Sequence, residues 1–319
     1  MNIFSLIKNL NRMCTFLISA YKGLSAFLFA YKMKLSKERK WKMKKLLVFD
    51  VDGTLWHPFS GLSFASEQAI KQLAERGYHL CIATGRTTGC IPDPIRNLPI
   101  HSWITSDGAS IRSLFLQEDH TIDPVQVQNI CCKAEMKNWG VSLECEDRLY
   151  MNEKACMIYE SMNRMKKSDP DIEKIKYENC FEKWDHTKPV FKICLMAPSE
   201  EIEPELVKGL DMLAAENLVE LHPPGIHKGT ALKRLQQSLG ISAEYTVCFG
   251  DGLNDLAMRP ACSCFVAMAE AAGAVQEQAD VIATRPMELA IEQTVCDLGL
   301  IKKKEWSAAA RRQQENIRV

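Results

Sequence analysis

The sequence predicts an α/β protein: a doubly wound, Rossmann-like parallel sheet with an inserted α+β unit. Three observations carry this. Short apolar runs at Leu46 to Phe49, Leu80 to Ala83 and Thr246 to Phe249 fit strands covered on both faces. Each run ends in polar residues, where an open α/β sheet keeps its ligand crevice. Helical stretches lie between the runs, the alternation that builds a parallel sheet.

The chain has 319 residues, enough for one large domain or two ordinary ones, and its 46% hydrophobic and 25% charged residues are those of a soluble globular protein. A formal net charge of zero provides no broad field for nucleic acid or an anionic membrane, so neither is expected as a partner. The thirteen cysteines show no Cys-x-x-Cys pair, and several sit in apolar runs. They read as small buried hydrophobes in a reducing compartment, which points to the cytoplasm. Residues 1–42 do not resemble the rest and read as a leader, disordered or a misassigned start, with Met43 standing just before the first strand. A signal peptide and a basic interfacial helix are the alternatives. Phe16 to Tyr31 is shorter than the roughly 20 residues of a membrane span and carries Lys22.

In order, the first strand ends in Asp50-Val-Asp52-Gly53-Thr54. Two carboxylates so close repel unless a cation or proton lies between them. Ser66 to Gly77 reads as a helix, capped by Ser66 and stopped by Gly77, with Ala69, Ile70, Leu73 and Ala74 on one face. The second strand, Leu80 to Ala83, ends in Thr84-Gly85-Arg86, and a third, Trp103 to Thr105, ends in Ser106-Asp107-Gly108-Ala109. Residues 43–110 and 224–300 thus form a discontinuous sheet domain, 111–223 an inserted unit, and 301–319 a polar tail. Within the insert, Val141, Leu143 and Cys145 alternate with polar residues, as in an antiparallel hairpin with one wet face. Helices are expected near 125–138, 154–166 and Glu201 to Glu216, with a strand from Val190 to Met196. The sheet domain resumes with Lys228 ahead of a helix, Thr230 to Leu239, stopped by Gly240. The strand from Thr246 ends in Gly250-Asp251-Gly-Leu-Asn254-Asp255, and Phe265 to Ala267 and Val281 to Ala283 complete the sheet around a helix at Ala269 to Gln278.

Four polar clusters, Asp50/Asp52, Thr84, Lys228 and Asp251/Asn254/Asp255, therefore fall on one sheet edge. Asp50, Asp52 and Asp251 are hard oxygen ligands suited to Mg²⁺, a lysine and a hydroxyl can neutralise phosphoryl oxygens, and a carboxylate can attack phosphorus. From Met43 to Leu298 the chain resembles the haloacid-dehalogenase superfamily of phosphatases, and most its Cof-like subfamily. The resemblance implies Asp50 as nucleophile and Asp52 as general acid/base. It implies Thr84, Gly85, Lys228 and Asn254 as phosphate-binding residues. Asp50, Asp52, Asp251 and Asp255 become the magnesium site, and the insert becomes a cap. The implied activity is Mg²⁺-dependent hydrolysis of small phosphomonoesters such as sugar or cofactor phosphates. A phosphoryl transferase or phosphosugar mutase, and a non-catalytic binding module, are the alternatives. The chain departs from the subfamily in having Asp107-Gly-Ala for Asn-Gly-Ala and Ala269-Glu270-Ala for Gly-Asn-Ala. An added carboxylate there repels phosphate unless it is paired, and the alternative is that both side chains point to solvent.

Overall fold

The computed structural model describes residues 45–166, 177–179, 184–185, 188–215, 217–283 and 287–302. Residues 1–42 and most of the tail lie outside them. The first sheet has eight strands in the order β16-β15-β14-β1-β4-β5-β6-β7. These are β1 (Leu46–Phe49), β4 (His79–Ala83), β5 (Ser102–Thr105), β6 (Ser110–Ser113), β7 (Gln117–Asp119), β14 (Thr246–Gly250), β15 (Cys264–Ala267) and β16 (Val281–Ile282). All pairs are parallel except those made by β6 and β7. The six parallel strands are the doubly wound sheet expected, and β1, between β14 and β4, is entirely buried. Leu47 and Phe49 face one apolar layer, closed by helices α1 (Phe64–Glu75) and α7 (Met287–Asp297). Leu46 and Val48 face the other, closed by α5 (Lys228–Leu239).

The sequence switches units at Ile111, but β6 and β7 still extend the first sheet. The second sheet has the order β10-β9-β8-β11-β13-β12. Its strands are β8 (Gly140–Glu144), β9 (Leu149–Met151), β10 (Tyr177–Asn179), β11 (Lys192–Met196), β12 (Asp211–Ala215) and β13 (Leu218–His222). On one face Val141, Leu143, Ile193, Leu195, Val219 and Leu221 pack with helix α3 (Pro124–Met136). The other face is polar, as the alternation predicts, but it is not wet: every residue of β8 is buried.

Three local expectations are corrected. The sequence predicts one helix from Glu201 to Glu216, but the described residues 201–215 form a turn followed by edge strand β12, paired antiparallel with β13. Gly209, at φ +82, ends the turn, and β13 then supplies the hydrogen bonds that helix propensity would have drawn inward. The first-sheet helix α1 starts two residues early, capped by Ser63, whose hydroxyl accepts from the Ser66 amide. The Ala269–Gln278 helix shrinks to the single turn Gly273–Gln276. Among the described residues, no helix is long and apolar enough to cross a membrane.

Candidate active site

The carboxyl ends of β1, β4 and β14 meet at a cleft of about 480 Å³, roofed by residues of the second sheet. Its described lining includes Asp50, Asp52, Gly85, Asp251, Asn254 and Asp255, from three separate sequence clusters. Asp50 leaves β1 buried, its amide donating to Phe249 O. Gly53 follows at φ +73, a turn that side chains rarely tolerate. A Cβ there would lie 2.1 Å from Asp251 Oδ2, so glycine also admits Asp251. The Thr54 hydroxyl donates to Asp251 Oδ1 at 3.3 Å.

Oxygens of Asp50, Asp251 and Asp255 lie within 4.8 Å of one another. Lys228, the first residue of α5, is buried behind them, 2.7 Å from both Asp50 Oδ1 and Asp255 Oδ1. His227 caps this helix, its ring Nδ1 accepting from the Thr230 amide, and so fixes where Lys228 enters. Asp255 Oδ2 accepts from the amides of Asp251 and Gly252 and holds that loop. Burial, then the charge of Asp255, pushes the Asp50 carboxyl well above the usual range against the pull of Lys228. The same two causes push Asp251 up to about 6. Burial disfavours the Lys228 ammonium, yet Asp255 and Asp50 hold its pKa above the ordinary value. Three crowded acids against one lysine form a hard-oxygen site that a divalent cation fits. Asp50 and Asp251 are the best placed ligands, since both Asp255 oxygens are already engaged.

The Asp52 carboxylate does not join this group. It is exposed and held by Arg86, whose Nε and Nη2 donate to its two oxygens at 2.7 and 2.5 Å. Arg86 is therefore not a solvated loop residue, the commoner fate of such an arginine; its Nη1 also donates to Cys90 O at 3.0 Å. Thr84 is fully buried, and its hydroxyl oxygen accepts from the Arg86 amide. It stands one residue from the cleft-lining Gly85.

Asp107 is buried and paired. Its Oδ1 accepts from Asn254 at 2.8 Å, and its Oδ2 lies 3.1 Å from Lys192 Nζ on β11. Burial opposes its charge, but Lys192, Lys228 and Asn254 outweigh that and hold the carboxyl below its usual range. Both Ser106 and Asp107 take left-handed backbone, at φ 49 and 54, which these contacts sustain. Glu270 is exposed. Lys192 and its strand neighbour Glu144 line the cleft and were not singled out from the sequence. The signal was present, as polar residues recurring at alternate positions of two apolar strands. His57 ends the short strand β2 (Trp56–His57), which pairs antiparallel with β3 (Gly61–Leu62), and its ring accepts from the Phe59 amide; Trp139 and Trp184 belong to the second-sheet core.

A profile of haloacid dehalogenase-like hydrolases matches residues 47–293. The Bacillus subtilis protein YkrA is 27% identical over 274 residues, covering 81% of this chain and 99% of its own. The 5-amino-6-(5-phospho-D-ribitylamino)uracil phosphatase YcsE of the same organism is 24% identical, covering 79% and 94%. A crystal structure of a Geobacillus kaustophilus protein superposes with a TM-score of 0.69 at 22% identity, covering 81% of this chain and all of that one. The fold and the match across most of its length agree: the chain is an enzyme of the haloacid dehalogenase-like hydrolase family.

Proposed function

We propose that the protein is a Mg²⁺-dependent phosphomonoesterase that acts on small phosphorylated metabolites through an aspartyl-phosphate. The observation that carries this reading is the position of Asp50: buried at a strand end, bonded to Lys228 and clustered with Asp251 and Asp255. Asp50 and Asp251 would hold the ion, which when bound shields the anionic phosphate from these acids. An Asp50 oxygen attacks phosphorus, and the bond to the ester oxygen breaks. Asp52 gives that oxygen a proton, then takes one from the water that displaces Asp50 and frees phosphate. Both Asp52 oxygens face Arg86, so substrate has to draw Asp52 from that pair before it serves as acid. Lys228 holds Asp50 in place and offsets the charge of Asp255. Gly85 and Asn254 line the phosphate end, with Thr84 bracing the loop. The second sheet serves as the cap, excluding water and contacting the leaving group.

The test is trapping. Acid-quenched enzyme given a phosphomonoester and Mg²⁺ should carry phosphate on Asp50, located by peptide mass spectrometry. Asp50→Asn should be inactive on every substrate. Turnover that survives complete chelation, or a phosphopeptide elsewhere, would overturn the reading.

A further inference from the structure

The polar face of the second sheet has a charge pattern that bears on the substrate. Glu144 of β8, Lys192 and Cys194 of β11, and Glu220 of β13 share this face, since Lys192 pairs in register with Glu144 and Cys194 with Glu220. The face is pressed onto the strand ends of the first sheet, where Glu144 and Lys192 are buried and line the cleft. Lys192 Nζ is surrounded. It lies 3.1 Å from Asp107 Oδ2, 3.2 Å from Gly85 O, 3.3 Å from Glu144 Oε1 and 3.8 Å from Glu220 Oε1. Three carboxylates thus face one ammonium, with the His222 ring Nε2 3.7 Å from Glu220 Oε2 on the far side. Among the described residues, the cations lining the cleft are Lys192 and Arg86, and Arg86 is paired with Asp52.

We infer that the enzyme selects phosphomonoesters whose leaving group is neutral or cationic, and discriminates against a second phosphate or a carboxylate. This rests on the phosphomonoesterase reading above and narrows its substrate class. A second anion entering the cleft would meet Glu144 on its lining, with Asp107 and Glu220 behind it around Lys192 and no unpaired described cation on the lining, so like charges would repel it. To be neutralised it would have to break the Lys192 or the Arg86 pair. A hydroxyl or amine meets no such penalty. Glu144 Oε2 is buried without a hydrogen-bond partner, so an acceptor is available to a donor group. The same charge pattern disfavours a mutase, whose bisphosphate would place its second phosphate against this wall.

The experiment uses pairs of esters that differ by one carboxylate: glycerol phosphate against phosphoglycerate, and a hexose phosphate against the matching phosphohexonate. The full chain is assayed with Mg²⁺, with p-nitrophenyl phosphate as the reference. Wild type should prefer the neutral member of each pair by roughly tenfold or more in kcat/KM. Glu144→Gln and Asp107→Asn each remove one facing charge and should shrink that ratio, whatever they do to the absolute rate. Binding to Asp50→Asn, measured by calorimetry, should show the same preference without turnover. Equal use of both members, or a ratio unmoved by both variants, would overturn the inference while leaving the phosphatase reading intact. Absence of turnover even on p-nitrophenyl phosphate would count against the phosphatase reading, and the calorimetry would then decide the charge preference by itself.

Discussion

Gly89 is a point of close approach between the two sheets, and a single methyl group there should separate them. The turn Thr88–Cys90 follows β4 and docks on the turn after β8. Gly89 N donates to Glu146 O at 2.7 Å, and the Thr87 hydroxyl contacts Cys145 O at 2.5 Å and Glu146 O at 3.0 Å. A Cβ on Gly89 would fall 1.7 Å from the backbone oxygen of Asp147. Retreat to an ordinary C···O approach of roughly 3.3 Å requires about 1.6 Å of movement, enough to break these contacts. At about 0.5–1.5 kcal/mol for each neutral hydrogen bond, the docked state loses about 2–4 kcal/mol. That is a factor of roughly 30 or more in its population. Gly89→Ala should therefore lower kcat/KM on a sugar phosphate by at least tenfold, read by phosphate release, while thermal melting still reports a folded chain. Thr87→Ala, which removes contacts without a clash, should show a smaller loss in the same direction. Wild-type kcat/KM in Gly89→Ala would show that docking at this turn is not needed for activity.

Gly53→Ala puts a methyl 2.1 Å from Asp251 Oδ2 and a side chain at φ +73, so Mg²⁺ affinity by calorimetry should fall severely; unchanged affinity would refute the role of this close approach. In chelated protein, Asp251 is raised from 3.8 to about 6, so over that window the folded state holds a proton that the unfolded chain has released. The contribution of Asp251 to the stability of the metal-free protein should then be full below about 3.8 and be lost as pH rises through about 6, by on the order of 3 kcal/mol. Melting curves with EDTA should show it, Asp251→Asn should flatten the slope, and a stability that climbs with pH would refute the assignment. Asp52→Asn should slow the burst of aspartyl-phosphate formation far more from a sugar phosphate than from p-nitrophenyl phosphate, by about 10²–10⁴-fold, because only the sugar alkoxide needs a proton. Equal slowing would remove the acid role.

The parts of the fold legible in the sequence were those set by local pattern. The apolar runs of β1, β4 and β14 each report burial on two faces, and the polar residues after them mark the strand ends. The segment before β12 misled because its composition favours helix while its structure is decided by pairing with β13, a tertiary choice. In the site, the carboxylates and Lys228 were legible as types in order. Their partners were not. Arg86 and Asp52 are 34 residues apart, and Lys192 and Asp107 are 85 apart, on different sheets. Nothing local in one sequence encodes such a pair. The Asp107 departure shows the consequence: alone it predicts repulsion of phosphate, and with Lys192 and Asn254 beside it the charge is held.

The Thr88–Cys90 turn also ties docking to chemistry. On one side it receives Glu146 O through the Gly89 amide; on the other, its Cys90 carbonyl accepts from Arg86 Nη1. Arg86 in turn holds both oxygens of Asp52. Docking of the second sheet and the placement of Asp52 are thus linked through one short turn, with no other described element between them. If the turn moves, Arg86 loses its anchor, and the residue proposed as the acid loses its guide. Gly89→Ala should then penalise a sugar phosphate more than p-nitrophenyl phosphate, copying Asp52→Asn in direction though not in size. A loss of water exclusion alone would lower both substrates alike. The ratio of the two losses separates the explanations, and an equal loss would leave the turn as a structural contact with no part in placing the acid.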